Sequence, residues 1–394
     1  MRFFLFKADY KKEINMTDRE IKDEDNQKQT GDDSSPLSPL RGEIDRIDER
    51  ILELINQRLE IGKKVGEIKK KKGSQILDRT RERMVIERLS QLNPGPADES
   101  LIQYIFNVII TATREIQKPK TIGYLGPLAS HSHIAALHYF NHCGEFVEQP
   151  GFFDIFNNIK RKELHFGIVP VENSIEGAVN YTLDLFAEFE IHITAEHYEP
   201  ISHDLLSITG ELKDVKTVYS HPQAIAQCKN WLKKHLPHAI VMETSSTSNA
   251  ALMASKDEQI AAIASGKAAH FYNLLPVASK IQDRGGNITR FLVIGGDRPE
   301  RTGDDKTSIM FATNHTPGAL FRALSPVNRA GLNMVKLESR PTRHYNWSYH
   351  FFMDIEGHIE DEIVFQTIEQ IRSQALYLKV LGSYPIMAKP EILQ

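Results

Sequence analysis

From Leu40 onward, apolar residues recur at intervals of four and three: Leu40, Ile44, Ile47, Ile51, Leu54, then Ile61, Val65 and Ile68. Only a helix gathers such positions on one face, so the pattern predicts one amphipathic helix over residues 40–70. At 1.5 Å per residue it runs about 45 Å, longer than so small a helical domain encloses, and the surplus stripe is expected to pack on a second subunit. The stripe is broken once. Between Leu54 and Ile61 stands Arg58, and a charge in a helix seam is costly unless an anion meets it. Lys69 follows eleven residues later, within about 20° of the same face. Arg41 lies 17 residues before Arg58, about 100° round the helix, and is expected to serve a different site.

A second helix is expected over 78–92, stopped by Asn93, Pro94, Gly95 and Pro96, and a third over 98–117. The second opens with Asp78, Arg81 and Glu82 on one polar face, and the third ends with Thr113 and Gln117, again four apart. A plain dimerisation arm explains the stripe but not the inward cations. Cations and an amide, with no nucleophile or general base, suit a reaction that needs charge matching rather than bond-making side chains.

The runs LRGEIDRIDERILELINQRLEIGKKVGEIKK, LDRTRE and TREIQ resemble the all-helical chorismate mutase domain over residues 37–118. The resemblance implies a pocket of Arg41, Arg58, Lys69, Asp78, Arg81, Glu82, Thr113 and Gln117, with Arg41 reaching into the partner's pocket. Thr113 stands where Ser is also found and keeps the hydroxyl. Chorismate is a dianion, and its rearrangement to prephenate leaves negative charge on the breaking ether oxygen. Lys69 and Gln117 are then expected at that oxygen, Arg41, Arg58 and Arg81 at the carboxylates, and Glu82 at a hydroxyl.

From Thr121 strands alternate with helices: IGYLG, FGIVPVE, VKTVYS, AIVMETS, QIAAIAS and TRFLVIGG are strands, with helices at 133–140, after Gly177, after Pro222 and after Thr247. Such alternation argues a mainly parallel sheet with helices on both faces and ligand contacts where strands end. Polar clusters stand there: Ser130 and Ser132; Glu172, Asn173 and Ser174; Ser220 and His221; Ser245, Ser246 and Thr247; Asn287, Thr289 and Arg290. Each of the first four also fits a helix cap, whereas the last opens a strand and needs no capping. No G-x-G-x-x-G or P-loop is present, so a nucleotide reading lacks its motif.

VPVENSIEGAVNYTLDL, YSHPQAIAQC, SSTSNAA, AAIAS and NITRF resemble prephenate dehydratase across residues 121–297. The family fold resembles two periplasmic-binding-protein-like lobes with the site in the cleft. The resemblance implies that Thr289 lies nearest the leaving hydroxyl, with Ser130, Glu172, Asn173, Ser220, Gln227 and Arg290 holding the substrate, Arg290 by its guanidinium fork. A Thr hydroxyl is too weak an acid to protonate strongly, so positioning or a relay is expected of Thr289. Ala129 stands where Gly commonly precedes the Ser. His131, His133 and His221 lack Asp or Cys at ligand spacing and are expected as cap or surface residues, and Cys228 as a buried apolar residue. No metal and no cofactor is expected.

The remaining residues read βαββαβ, a ferredoxin-like order: KTSIMFAT, a helix over 317–330, MVKLES, SYHFFMDI, a helix over 360–375, and LKVLGSYP. Gly318, Ala319 and Leu320 with Glu338, Ser339, Arg340 and Pro341 resemble the phenylalanine-sensing ACT domain. Feedback by L-phenylalanine is therefore expected at Gly318, Ala319, Leu320, Glu338, Ser339 and Arg340. Removing 303–394 is expected to leave catalysis measurable but insensitive to phenylalanine.

The chain reads as multidomain: a disordered extension (1–36, in which Met16 is an equally good initiator), an all-α mutase domain (37–118), an α/β two-lobed dehydratase domain (119–298) and an α+β ferredoxin-like ACT domain (303–394). A dehydratase whose helical domain only dimerises is the alternative. Net charge is -4, which argues against a nucleic-acid footprint, though 37–118 carries 16 basic against 13 acidic residues and so favours small anions. Two cysteines fit a reducing compartment, no apolar run spans a membrane, and no secretory signal is recognised, so the expected location is cytoplasmic. The expected partners are chorismate, prephenate, phenylalanine and further copies of the chain, with neither nucleic acid nor membrane.

Overall fold

A computed structural model describes residues 37–72, 79–117, 119–341 and 349–388 and divides the chain into two units between residues 117 and 118. The expected disorder of 1–36 and Asp78 lie outside the described residues, as do the side chains of Lys69, Arg81, Glu82 and Gln117.

The first unit is helical. Helix α1 (Ser38–Lys72) and α2 (Arg79–Leu92) both pack on α3 (Glu99–Gln117). Asp98 starts α3 by accepting from Leu101 N at 2.7 Å, and bonds from Ser100 and Leu101 hold its carboxyl below its ordinary value. Ile102 and Ile110 of α3 are buried, whereas the α1 stripe from Leu40 to Ile68 is exposed along its length; Ile44 and Ile61 show 56% and 62% of their surface. A stripe this apolar and this bare on one chain fits the second-subunit reading.

The second unit holds three sheets. The first orders β2 (Glu145–Gln149), β1 (Thr121–Leu125), β3 (Phe166–Asn173), β11 (Ile288–Gly295) and β5 (Ile193–Pro200), with β4 (Gly177–Ala178) on β3. The second orders β10 (Leu275–Ala278), β6 (Asp204–Ser207), β9 (Ile260–Ala264), β7 (Thr217–Ser220) and β8 (Ile240–Glu243). Both are mixed rather than mainly parallel, because β11 runs antiparallel to β3 and β5, and β6 runs antiparallel to β9 and β10. The chain leaves the first lobe after Pro200, builds the second, and returns at Ile288; the two crossover segments are tied by Ile281 N donating to His203 O at 2.8 Å. Helices α4 (His131–Tyr139), α5 (Phe152–Lys160) and α6 (Asn180–Glu188) belong to the first lobe; α7 (Pro222–Gln227), α8 (Lys229–His235), α9 (Thr247–Ala254) and α10 (Ala268–Tyr272) belong to the second.

The third sheet orders β13 (Met334–Pro341), β14 (Tyr349–Glu356), β12 (Asp305–Ala312) and β15 (Tyr377–Pro385), antiparallel throughout, with α11 (Ala319–Arg329) and α12 (Glu362–Gln374). This is the expected ferredoxin-like order. Its face carrying Met310, Phe352 and Tyr384 shares one core with Val169, Leu292 and Ile294 of the first sheet. The other face packs on α11 and α12 through Phe311, Met353 and Ile368.

Candidate active sites

In the helical unit, Arg58 and Thr113 meet. The Arg58 guanidinium donates to the Thr113 hydroxyl and, at 3.3 Å, to Ile109 O, while Thr113 Oγ1 donates to Ile109 O at 2.7 Å. A half-buried cation thus sits in the α1–α3 seam with only neutral acceptors described about it, an arrangement open to an anion. Arg41 is exposed and lies about 25 Å back along the α1 axis, beyond the reach of the Arg58 pocket of its own chain.

In the two-lobed domain the polar groups converge where the chain re-enters the first lobe. Asn173 ends β3, and its Oδ1 accepts from the turn amides Ile175 N (3.0 Å) and Glu176 N (3.2 Å). That fixes which end of the amide is which, so Nδ2 donates to Thr289 Oγ1 (2.9 Å) and Asn287 Oδ1 (2.7 Å). Asn287 Nδ2 then donates to Gln227 Oε1 at 3.4 Å, and His203 Nε2, 3.0 Å from the same carbonyl, must carry its proton. The chain of bonds has one direction. It leaves the Thr289 proton and the Gln227 amide hydrogens uncommitted among the described residues. Of these residues His203 was missed by sequence reasoning: it stands alone on a crossover segment, and only the fold brings it to Gln227.

Around them lie further imidazoles. The ring of His131 is 6.1 Å from that of His203, and burial, then His203, lower its pKa to about 4 against the pull of Glu199. Burial also lowers His203, against its bond to Gln227. His133 is a core residue rather than a cap or surface one: it is 4% exposed among Tyr124, Phe146 and Phe271, accepts from Ala129 N at 3.2 Å, and burial brings it to about 4. His221 does cap α7, accepting from Gln223 N. Among the described residues His138, His197 and Glu199 place ligand-type atoms within 4.8 Å of one another. Burial pushes the Glu199 carboxyl up, but bonds with His197 (3.0 Å) and His138 (2.9 Å) outweigh it and hold the group low, while Nδ1 of His197 is buried without a partner among the described residues.

Four expected dehydratase contacts fall elsewhere. Arg290 is turned away from Thr289, as successive strand residues are, and is 6% exposed; Nε donates to Glu196 (2.9 Å), one terminal nitrogen to Asp354 (2.7 Å) and the other to Tyr384 (3.1 Å). Asp354, Tyr384 and Glu196 outweigh the burial cost and raise its pKa. It is an internal ion partner here, not a substrate fork. Glu172 pairs with Lys336 of β13 at 2.7 Å, on the same side as Arg290. Ser220 is 0% exposed and donates to Ile263 O at 2.6 Å, tying β7 to β9. Ser130 caps α4, accepting from His133 N and donating to Leu125 O at 2.7 Å; Ala129 before it adopts φ 61°, the left-handed region that a glycine takes without strain.

In the ferredoxin-like domain Gly318, at φ 74°, caps α11, and a cavity of about 160 Å³ is lined by Asn314, Thr316, Ala319, Leu320, Tyr349 and Phe351, among others. Ser339 pairs with Phe351 and so faces the same side, whereas Glu338 and Arg340 face the dehydratase, Arg340 lying 3.5 Å from Asp184 of α6. The six expected sensor residues therefore do not surround one pocket within a single chain.

Comparison with known proteins matches residues 40–118 to chorismate mutase type II, 122–299 to prephenate dehydratase and 307–373 to the ACT domain. A bifunctional chorismate mutase/prephenate dehydratase of Aquifex aeolicus is 43% identical over 353 residues, 89% of this chain and 98% of that protein. One from Stutzerimonas stutzeri is 38% identical over 90% of this chain and 98% of that protein. Among solved structures, prephenate dehydratase from Arthrobacter aurescens in complex with L-Phe is 31% identical with a TM-score of 0.62, covering 68% of this chain and 90% of that one. With its mutase, dehydratase and ACT segments in that order, the chain belongs to the bifunctional chorismate mutase/prephenate dehydratase family.

Proposed function

We propose that Thr289 is the donor to the departing hydroxyl in the dehydratase half-reaction, and that the directed amide chain from Asn173 through Asn287 to Gln227 and His203 sets it. As prephenate loses CO2, the electron pair of the breaking C–C bond enters the ring and the C–O pair leaves with the hydroxyl oxygen. A hydroxyl whose oxygen already accepts from Asn173 aims its own hydrogen at that oxygen, and the Gln227 amide holds a carboxylate. The observation that carries this is the Asn173–Thr289 bond with its orientation fixed by the turn amides. Thr289→Ala is expected to remove phenylpyruvate formation from prephenate while circular dichroism stays unchanged, and Thr289→Ser to retain a share of it. Near-normal turnover of Thr289→Ala sinks the assignment.

In the mutase pocket, Arg58 with Thr113 holds one carboxylate of chorismate, Arg81 and the partner chain's Arg41 complete the charge matching, Lys69 and Gln117 serve the ether oxygen, and Asp78 and Glu82 supply polar contacts. Lys69→Ala is expected to cost mutase activity alone, by about 10²–10³. Prephenate formed there feeds the dehydratase, and L-phenylalanine is sensed at the α11 end of the ferredoxin-like domain, where Gly318 and the pocket of Ala319 and Leu320 lie. Domain limits of 37–118, 119–298 and 303–394 describe this division of labour. The chain assembles at least as a homodimer over α1 and works in the cytoplasm; no helix among the described residues is long and apolar enough to cross a membrane.

A further inference from the structure

We propose that the ferredoxin-like domain holds the dehydratase site in place from behind, through Arg290 and Glu172, which act as positioning residues for Thr289 and Asn173. This rests on the reading of Thr289 and Asn173 given above. In the register of the first sheet Thr289 pairs with Asn173 and Arg290 pairs with Glu172. One pair therefore faces the amide chain, and the next, one peptide away on both strands, faces the ferredoxin-like sheet.

What meets it there is built. Arg290 and Lys306 share Glu196, and Arg290 also holds Asp354, whose other oxygen accepts from Ser308 at 2.6 Å. Two cations and two carboxylates balance, and all four side chains are less than a tenth exposed. Lys306 and Asp354 belong to β12 and β14, so the position of Arg290 is set by the regulatory sheet. The second tie is Lys336 of β13 to Glu172. The same strand carries Ser339, whose cross-strand partner Phe351 lines the cavity with Ala319 and Leu320. A ligand that displaces β13 thus acts on Glu172 and, one residue on, on Asn173. The sheet is irregular at that point: the register slips between Arg290 and Phe291, which leaves Val171 as the extra residue of β3.

The test uses the full chain and measures kcat and KM for phenylpyruvate formation separately, with mutase turnover as control. Asp354→Asn keeps volume and removes the charge facing Arg290. A fall in kcat of the order of tenfold is expected, with KM within about twofold, mutase turnover unchanged, and part of the loss recovered in Asp354→Glu. Lys336→Met is expected to keep phenylalanine binding by calorimetry and to lose most of the inhibition. Wild-type kcat in Asp354→Asn together with wild-type inhibition in Lys336→Met overturns the proposal. So does a fall in dehydratase kcat matched by a loss of folded protein in circular dichroism, which marks unfolding. Full activity in Thr289→Ala instead overturns the site reading beneath it, whatever Asp354→Asn does.

Discussion

Asn173 shows how one amide decides the state of a neighbouring hydroxyl. Asn173→Asp preserves the acceptor for Ile175 N and Glu176 N but removes both donors, so the Thr289 proton turns toward the new carboxylate and away from substrate. The expected result is a dehydratase kcat lower by about 10²-fold with KM little changed, read by steady-state kinetics on prephenate. A second residue-scale consequence concerns acid. His131 and His133 titrate near 4 folded against about 6.5 unfolded, so the unfolded chain binds more protons between these values. Their contribution is complete above pH 6.5 and is lost as pH falls toward 4, at most about 3 kcal/mol for the buried His133. The melting temperature should fall over that window, and His133→Leu should flatten the fall while lowering stability at pH 8, because Ala129 N–H loses its acceptor. Cys228, pushed up to about 12 chiefly by burial, should resist iodoacetamide at pH 8 in the native protein, as mass spectrometry would show. Sequence reasoning singles out Thr289, Asn173 and Gln227, which the fold brings into one chain of bonds, because they sit in long motifs. His203 was illegible because nothing local distinguishes a lone crossover histidine.

At the scale of elements, period alone marked α1, its neighbours and the βαββαβ tail, because local spacing determines them. What period cannot register is a bulge. Val169 and Val171 both join the core shared with the ferredoxin-like sheet, and strict alternation would send Asn173 there too. The slip at Val171 instead turns Asn173 to Thr289 and Glu172 to Lys336. The same blindness to facing put Arg290 in the substrate cleft, when the residue after Thr289 on a strand points the other way. Sheet direction was misjudged for a related reason: antiparallel β11 and β6 arise from the two lobe crossings, a long-range event. The α1 stripe makes its own prediction. Ile47→Glu should convert the assembly to monomers in sedimentation, since burying such a side chain contributes about 1.5–3 kcal/mol and a buried charge opposes it further. Mutase turnover should fall with assembly under the proposal that the partner's Arg41 completes the pocket.

At the scale of the whole molecule, one boundary parts two compact units and another is bridged by a shared core. The division between residues 117 and 118 separates two compact units, and residues 118–394 expressed alone should keep dehydratase kcat within a few-fold. Residue 303 also reads as a domain boundary in the sequence, and a chain without the tail is expected there to keep measurable catalysis insensitive to phenylalanine. Facing says otherwise. The tail covers Val169, Leu292 and Ile294 with Met310, Phe352 and Tyr384, and its loss bares that apolar face. It also strips Arg290 of Asp354 and Tyr384, and Glu196 of Lys306, where breaking one buried pair alone costs about 3–5 kcal/mol. A chain ending at 302 should therefore lose dehydratase activity and precipitate or bind a hydrophobic dye. Its helical unit, which shares none of these contacts, should still turn over chorismate. A soluble 1–302 chain with wild-type dehydratase turnover would show that the two sheets are merely neighbours and would return the cut at 303 to a purely regulatory one.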